Sequence, residues 1–167
     1  IGELRGACRR LVNPYVLIRP LQRLEAQTSS AMEGTHTTNA ELVLAEADVE
    51  KNPSFDAIEV RNYIRALSWA ENELSHLPIS GRLIKGAHER LLKNVGRGRG
   101  QDKRPGEYKR DQNWIGGLTL DMARFIPPPP KEAEAAMSDL EKFIHRADKS
   151  TSSPLINIAL VHCQFEM

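Results

Sequence analysis

The sequence predicts an all-α, mainly helical fold with a single β-hairpin. Apolar residues recur at helical spacing through most of the 167 residues, and capping residues or helix breakers separate the resulting segments. One segment, 104–118, lacks this period and combines a turn signal with residues that favour extended structure. A chain of this length can bury the core of one domain.

The first predicted helix covers residues 21–32 and is followed at once by an acidic residue. Gly34 stands where a left-handed C-terminal cap is expected. Glu33 therefore lies at the helix end that already carries partial negative charge, and it is expected to need a cationic partner. No basic residue between Arg23 and Lys51 supplies one. The alternative for this glutamate is a solvated surface position.

Two further helices follow, each with a recognisable first residue. Thr38 and Glu41 have the spacing of a capping box, which predicts a helix running to residue 51. After an Asn-Pro break, Ser54 is expected to cap the longest helix, over 55–76.

In the middle of the chain, one more helix is predicted before the pattern changes from helical to extended. Ser80 is expected to begin a helix that stops in the glycine-rich loop 96–100. Beyond the loop, Pro105-Gly106 signals a turn, and the aromatic and β-branched residues after it favour strands. These features predict a β-hairpin over 104–118.

The last third of the chain is predicted to return to helix. Residues 127–130 form a run of prolines that favours a stiff extended spacer, and a helix is expected over 131–147. Ser153 and Pro154 have the residue types of an N-cap and a first helical position. His162 is expected to pack on the apolar face of this last helix rather than bind a metal.

The charge balance gives no case for nucleic-acid binding. Lysine and arginine number 23 against 22 aspartate and glutamate, for a net charge of +1. A local basic cluster consists of Arg97, Arg99, Lys103 and Arg104. We interpret it as a solvated mobile loop rather than a phosphate-binding groove.

The cysteines and the hydropathy pattern indicate a cytoplasmic protein that does not enter the membrane. Cys8 and Cys163 are far apart and form neither a zinc pattern nor a disulfide framework, so reduced thiols are expected. No apolar stretch approaches the ~20 residues that span a bilayer.

A short motif at the end of the first predicted helix gives more specific information about function. Ser29 is followed one helical turn later by Glu33-Gly34. This pattern resembles the inhibitory helix of Fic proteins, which transfer AMP to protein hydroxyls. The resemblance covers nearly the whole chain in order and spacing. The other segments that carry it are Asn13-Pro14, 18–21, 60–67, 77–80, 105–110, 112–117, 125–130 and 159–166.

The resemblance implies two regions. Residues 1–52 would form a helical region with the inhibitory helix, and 53–167 the N-terminal part of the Fic core with its flap hairpin. Ser29, Glu33 and Gly34 would form the inhibitory element, with Ser29 bracing the helix by a side-chain hydrogen bond. In the family, this glutamate borders the nucleotide and pairs with an arginine that otherwise holds the ATP γ-phosphate. ATP then binds in a pose whose α-phosphate cannot be attacked.

The resemblance also implies how a target protein docks. An extended target segment would add as a strand along the open edge of the flap. The residues implied in this docking are Lys109, Arg110, Asp111, Gln112 and Asn113. The flap residues implied to border the nucleotide are Ile115, Gly116 and Gly117.

Family members continue beyond these segments into a His-Pro-Phe-x-x-Gly-Asn-Gly-Arg signature. By the resemblance, that signature supplies the general base, the phosphate nest and the ligand of magnesium, so the complete protein would use ATP with Mg²⁺. The sequence ends at Met167, before the signature, and starts with Ile1. We therefore expect an internal fragment with no catalytic residue or metal ligand of its own, inactive in AMP transfer.

Two alternatives stay open at this point. The chain could be a regulatory or binding module derived from the Fic fold without catalysis, or a helical interaction domain with no nucleotide chemistry. The residues that follow Met167 discriminate between them and the enzyme. A homo-oligomer is compatible with each.

Overall fold

The computed structural model describes residues 6, 13, 15–49, 52–100, 102–147 and 153–166. The described part is helical, as predicted. Its α-helices are α1 (Tyr15–Met32), α2 (Asn39–Glu46), α3 (Phe55–Glu73), α4 (Gly81–Leu91), α5 (Pro130–Ala147) and α6 (Pro154–Glu166). Two short 3-10 turns, Arg97–Arg99 and Leu120–Met122, lie between α4 and α5.

Helix α3 is the centre of the structure. It packs against α1, α2 and α4, while α5 packs on α4 and α6 packs on α5. A small core cluster joins the first three helices through Ala26 of α1, Leu42 of α2 and Val60 of α3, all almost fully buried. Tyr63 and Ile64 of α3 are partly buried against this cluster.

The helix starts agree with the capping residues in the sequence. Thr38 Oγ1 accepts a 3.2 Å hydrogen bond from the Glu41 amide, and Glu41 Oε2 accepts a 2.7 Å bond from the Thr38 amide. These bonds form the predicted capping box. The bond from the Thr38 amide to the Glu41 carboxylate is the main cause that lowers the pKa of Glu41. Ser54 and Ser80 accept bonds from backbone amides in the same way. Helix α6 begins at Pro154, also as predicted.

The helix ends differ more from the sequence expectations. Helix α1 begins at Tyr15 rather than at residue 21, and Pro20 lies inside it at the loss of one backbone hydrogen bond. Helix α2 ends at Glu46 rather than at 51. Asp48 turns the chain there with a φ of 53° and forms an ion pair with Arg61 of α3.

The β-hairpin predicted over 104–118 does not form. Within the described residues the one bridge in this region is an isolated antiparallel pair, Ile115 with Phe125, whose second member lies outside the predicted window. The first arm is tied to α4 instead, because the Gly106 amide donates to His88 Nδ1 at 3.1 Å. The segment is therefore an irregular loop, which we call the flap loop (104–118).

Helix α6 also departs from expectation. His162 is exposed rather than packed. Several apolar side chains of this helix are more than half exposed, namely Leu155, Ile156, Ile158, Leu160 and Phe165. Among the described helices, none combines the length and the apolar character needed to cross a membrane.

Candidate functional site

Helix α1 ends in the left-handed cap that the sequence predicts. Gly34 has a φ of 86°, which a residue with a side chain rarely adopts. The Thr35 amide donates to the Ser30 carbonyl at 2.9 Å, and the Gly34 amide donates to the Ala31 carbonyl at 3.1 Å. These two bonds form a Schellman motif, which satisfies carbonyls that a helix end leaves unpaired. The motif places Glu33 at the C-cap position.

Glu33 is exposed at this helix end. No side-chain hydrogen bond or ion pair reaches its carboxylate from any described residue. Its place beside the last carbonyls of α1 is electrostatically unfavourable for an anion. The predicted need for a cationic partner is therefore not met within the described part of the chain.

Ser29 does brace α1, but in the direction away from Glu33. Its hydroxyl donates to Glu25 Oε1 at 2.8 Å, one turn toward the N-terminus. Tyr63 of α3 donates to both oxygens of the same carboxylate at 3.0 Å. Burial and the nearby Glu25 carboxylate raise the pKa of Tyr63. Ser29 thus belongs to a link between α1 and α3.

The two residues after Gly34 attach the turn to the start of α3. Thr35 is only 6% exposed, and its hydroxyl donates to Glu59 Oε1 at 3.0 Å. The His36 amide donates to Asp56 Oδ2 at 2.9 Å. That bond, together with the nearby Arg99 guanidinium, lowers the pKa of Asp56. We call the segment from Glu33 to His36 the inhibitory turn, after the role that the sequence resemblance implies for Glu33.

The basic loop is not simply solvated. Arg99 forms ion pairs with both Asp56 and Glu59. Arg104 lies 3.7 Å from Asp111 of the flap loop, in a pair that water reaches freely. Arg99 is therefore exposed, but ion pairs attach it to α3.

The flap loop is held at its base by α4. Besides the bond from Gly106 to His88, the ammonium of Lys85 lies 3.9 Å from the centre of the Tyr108 ring. Burial raises the pKa of Tyr108. At the start of the same helix, the Gly81 amide donates to Glu141 of α5 at 2.8 Å. The flap loop, α4 and α5 thus form one connected unit.

Residues 108–114 leave their backbone largely free. Among the described residues, no hydrogen bond between two backbone groups involves this stretch. One side chain bonds to the backbone here, because the side-chain amide of Gln112 donates to the Pro127 carbonyl at 2.8 Å and to the Asn113 carbonyl at 3.0 Å. Such a stretch can pair with an added strand even though it belongs to no hairpin.

The side chains predicted to dock a target lie together on this stretch. Lys109 is half-buried, whereas Arg110, Asp111 and Asn113 are exposed. Arg110 pairs with Glu107 at 2.8 Å. These residues form a polar surface of mixed charge.

The three residues predicted to border a nucleotide follow residues 108–114 directly and are exposed. Ile115 carries the isolated bridge to Phe125. Gly116 and Gly117 have φ angles of 71° and 84°. A Cβ on Gly117 would lie 2.3 Å from the Met122 carbonyl oxygen. The folding of the loop itself therefore requires glycine there.

The predicted site residues fall into two groups. The inhibitory turn is attached to α3, and the flap loop is attached to α4 and α5.

An open apolar groove of about 920 Å³ lies along α3, α4, α5 and α6, with His88 in its lining. Within the described ranges, no group of three or more histidine, cysteine, aspartate or glutamate residues could hold a metal.

The residues that attach these two segments were not predicted from the sequence. Arg99, Asp56 and Glu59 hold the inhibitory turn, and His88 holds the flap loop. One signal was present, since Asp56 and Glu59 are three residues apart and therefore share a face of α3.

Comparison with known proteins agrees with the family resemblance that the sequence predicts. No curated protein matches the chain by sequence. Residues 1–72 match the sequence profile of the N-terminal region of the Fic/DOC family. Residues 78–167 match the profile of the Fic/DOC family itself. The boundary predicted between residues 52 and 53 stays a prediction. Because the two profiles together cover almost all of the sequence, the chain belongs to the Fic/DOC family.

Proposed function

We propose that the protein is an adenylyltransferase that moves AMP from ATP to a hydroxyl side chain of a target protein, and that Glu33 restrains it. The observation that carries this proposal is the end of α1. A Schellman motif fixes the backbone on both sides of Glu33 and leaves the carboxylate exposed without a described partner. A carboxylate held in this way is suited to pair with an arginine from another part of the protein.

The proposed reaction breaks the phosphoanhydride bond between the α- and β-phosphates of ATP and forms a phosphodiester with the target side chain. The target hydroxyl oxygen forms a bond to the α-phosphorus of ATP, its proton passes to a general base, and pyrophosphate leaves. We assign the role of general base to the histidine of the family's His-Pro-Phe-x-x-Gly-Asn-Gly-Arg signature in the complete protein. Pairing of Glu33 with the arginine of that signature would deny the arginine to the γ-phosphate and so lower the rate.

The flap loop supports the docking part of the proposal. Residues 108–114 have no backbone-to-backbone hydrogen bonds within the described part, so an extended target segment could pair with them. Recognition through the backbone would depend little on the target sequence. The side chains of Lys109 and Asn113 would then select among targets.

ATP with Mg²⁺ is proposed as the substrate pair of the complete protein. Ile115, Gly116 and Gly117 would border the nucleotide. The described residues offer no metal cluster, so no metal-dependent step is assigned to them. We further propose a cytoplasmic location, no role in nucleic-acid binding, and a homo-oligomer as a permitted state.

The experiment uses the full-length protein with ATP labelled either at the α-phosphate or at the γ-phosphate. AMP transfer places the α-label on protein and leaves the γ-label in pyrophosphate. Transfer of the γ-label instead would replace the proposal with phosphoryl transfer. If neither label reaches protein even in the Glu33→Gly variant, the non-catalytic binding module becomes the better account.

A further inference from the structure

Arg99 is the residue through which the loop after α4 holds the inhibitory turn. Its guanidinium pairs with Asp56 Oδ1 through Nη2, and with Glu59 Oε2 at 2.9 Å through Nη1. These acids are three residues apart on one face of α3, where two like charges repel each other. The planar fork of an arginine can bridge two such carboxylates, which a lysine cannot do in the same geometry.

Each carboxylate divides its two oxygens between Arg99 and the inhibitory turn. Asp56 uses Oδ1 for Arg99 and Oδ2 for the His36 amide. Glu59 uses Oε2 for Arg99 and Oε1 for the Thr35 hydroxyl. The orientation of both carboxylates toward the turn therefore depends on the guanidinium on their other side.

Arg99 is itself brought into place by a buried anchor. The Asn62 amide of α3 donates to the Leu91 and Lys93 carbonyls, at 3.1 and 2.6 Å. Val95 is completely buried, and a Cβ at Gly96 would lie 3.0 Å from the ring of Phe55. The chain that leads to Arg99 thus has a fixed course along the start of α3.

We propose that Arg99 is a positioning residue for Glu33, and that its bridge to Asp56 and Glu59 sets how strongly Glu33 restrains AMP transfer. This inference rests on the proposed function. Thr35 and His36 follow Glu33 directly and are the points at which the bridge holds the turn. Without Arg99, the protein would still contain Glu33, but the turn that carries the Glu33 carboxylate would be free to move.

The first measurement is amide hydrogen exchange at Thr35 and His36 in the full-length protein. Arg99→Ala is expected to speed exchange at His36 by about threefold to tenfold, the range of a partly exposed ion-pair network. Arg82→Ala is the matched control, because Arg82 is an exposed arginine at the start of α4 for which no acidic partner is found among the described residues. Unchanged exchange in Arg99→Ala would overturn the inference.

The second measurement is AMP transfer by four proteins: wild type, Arg99→Ala, Glu33→Gly and the double variant. We expect Arg99→Ala to raise transfer by about threefold or more, and to add nothing once Glu33 is already glycine. Arg82→Ala should match wild type. The lack of an added effect in the double variant separates positioning of Glu33 from a general change in the enzyme.

The outcomes distinguish this inference from the proposed function. If Glu33→Gly raises transfer while Arg99→Ala does not, the inference fails and the proposed function stands. If Glu33→Gly has no effect, both fail. If Arg99→Ala lowers the folded fraction, Arg99→Lys and Asp56→Asn serve in its place. Each keeps the approximate shape but breaks the bridge, so each should raise transfer.

Discussion

The backbone amide of Gly106 donates a 3.1 Å hydrogen bond to Nδ1 of the His88 ring. An amide N–H can only donate, so Nδ1 must be unprotonated and a neutral ring carries its proton on Nε2. Gly106 has a φ of 85°, and its position lies against Lys85 and Glu89 of α4. This bond therefore makes part of the attachment of the flap loop to α4 depend on the protonation of His88.

Acid should loosen the base of the flap loop. Burial lowers the pKa of His88 from its ordinary value of 6.5. The neutral ring is thus favoured in the folded state, and the unfolded state binds the proton first as the pH falls. This contribution to stability is complete above pH 6.5 and is lost as the pH falls from 6.5 toward the lowered pKa.

The measurement for this prediction is amide exchange across residues 104–108 as the pH is lowered, corrected for the intrinsic pH dependence of exchange. His88→Gln keeps an acceptor for the Gly106 amide but cannot gain a proton. It should therefore remove most of the pH dependence. An unchanged pH dependence in this variant would show that another group controls the loop.

Substitution of Asn62 should lower the stability of the protein more than most other substitutions of polar residues. It is 5% exposed, and its side chain donates to two carbonyls at the end of α4, those of Leu91 and Lys93. Asn62→Ala removes both of these partly buried hydrogen bonds, which we expect to lower the free energy of unfolding by about 2 kcal/mol. Urea unfolding measures the change. Asn72→Ala, at an exposed position of the same helix, should stay within about 0.5 kcal/mol of wild type.

Three glycine-to-alanine variants should differ in the free energy of unfolding, with the smallest loss at Gly98 and the largest at Gly117. Gly98 has open space around it and no positive φ, so the change should cost little. Gly34 also has open space, but its φ of 86° strains an alanine by about 1 kcal/mol. At Gly117, the added Cβ would also meet the Met122 carbonyl oxygen at 2.3 Å, so this variant should be the least stable. Urea unfolding of the three variants tests the order, and equal stabilities would contradict it.

The local parts of the fold were predictable from the sequence. Thr38, Ser54 and Ser80 each bond to an amide a few residues ahead, and such contacts depend on short spacings that a sequence displays. The left-handed cap at Gly34 was predicted for the same reason. The Glu33-Gly34 pattern also pointed to the correct family.

The flap loop and the bridge at Arg99 were not predictable in the same way. The Gly106 amide finds His88, 18 residues away, and Arg99 finds Glu59, 40 residues away. Such pairings depend on how α3 and α4 pack rather than on a local pattern. Residues of strand-forming type in 104–118 therefore gave a hairpin prediction, although α4 takes up the first arm.

The central claim is that Glu33 restrains AMP transfer, and the most direct test is the intact mass of the full-length protein after incubation with ATP and Mg²⁺. Glu33→Gly should gain the mass of one or more AMP groups much faster than wild type. Each ~1.4 kcal/mol of transition-state stabilisation regained is about tenfold in rate. Glu73→Gln is the control, since that residue ends α3 about 20 Å along the helix from Glu59. The same rate of gain in wild type and Glu33→Gly, or no gain in either, would contradict the account.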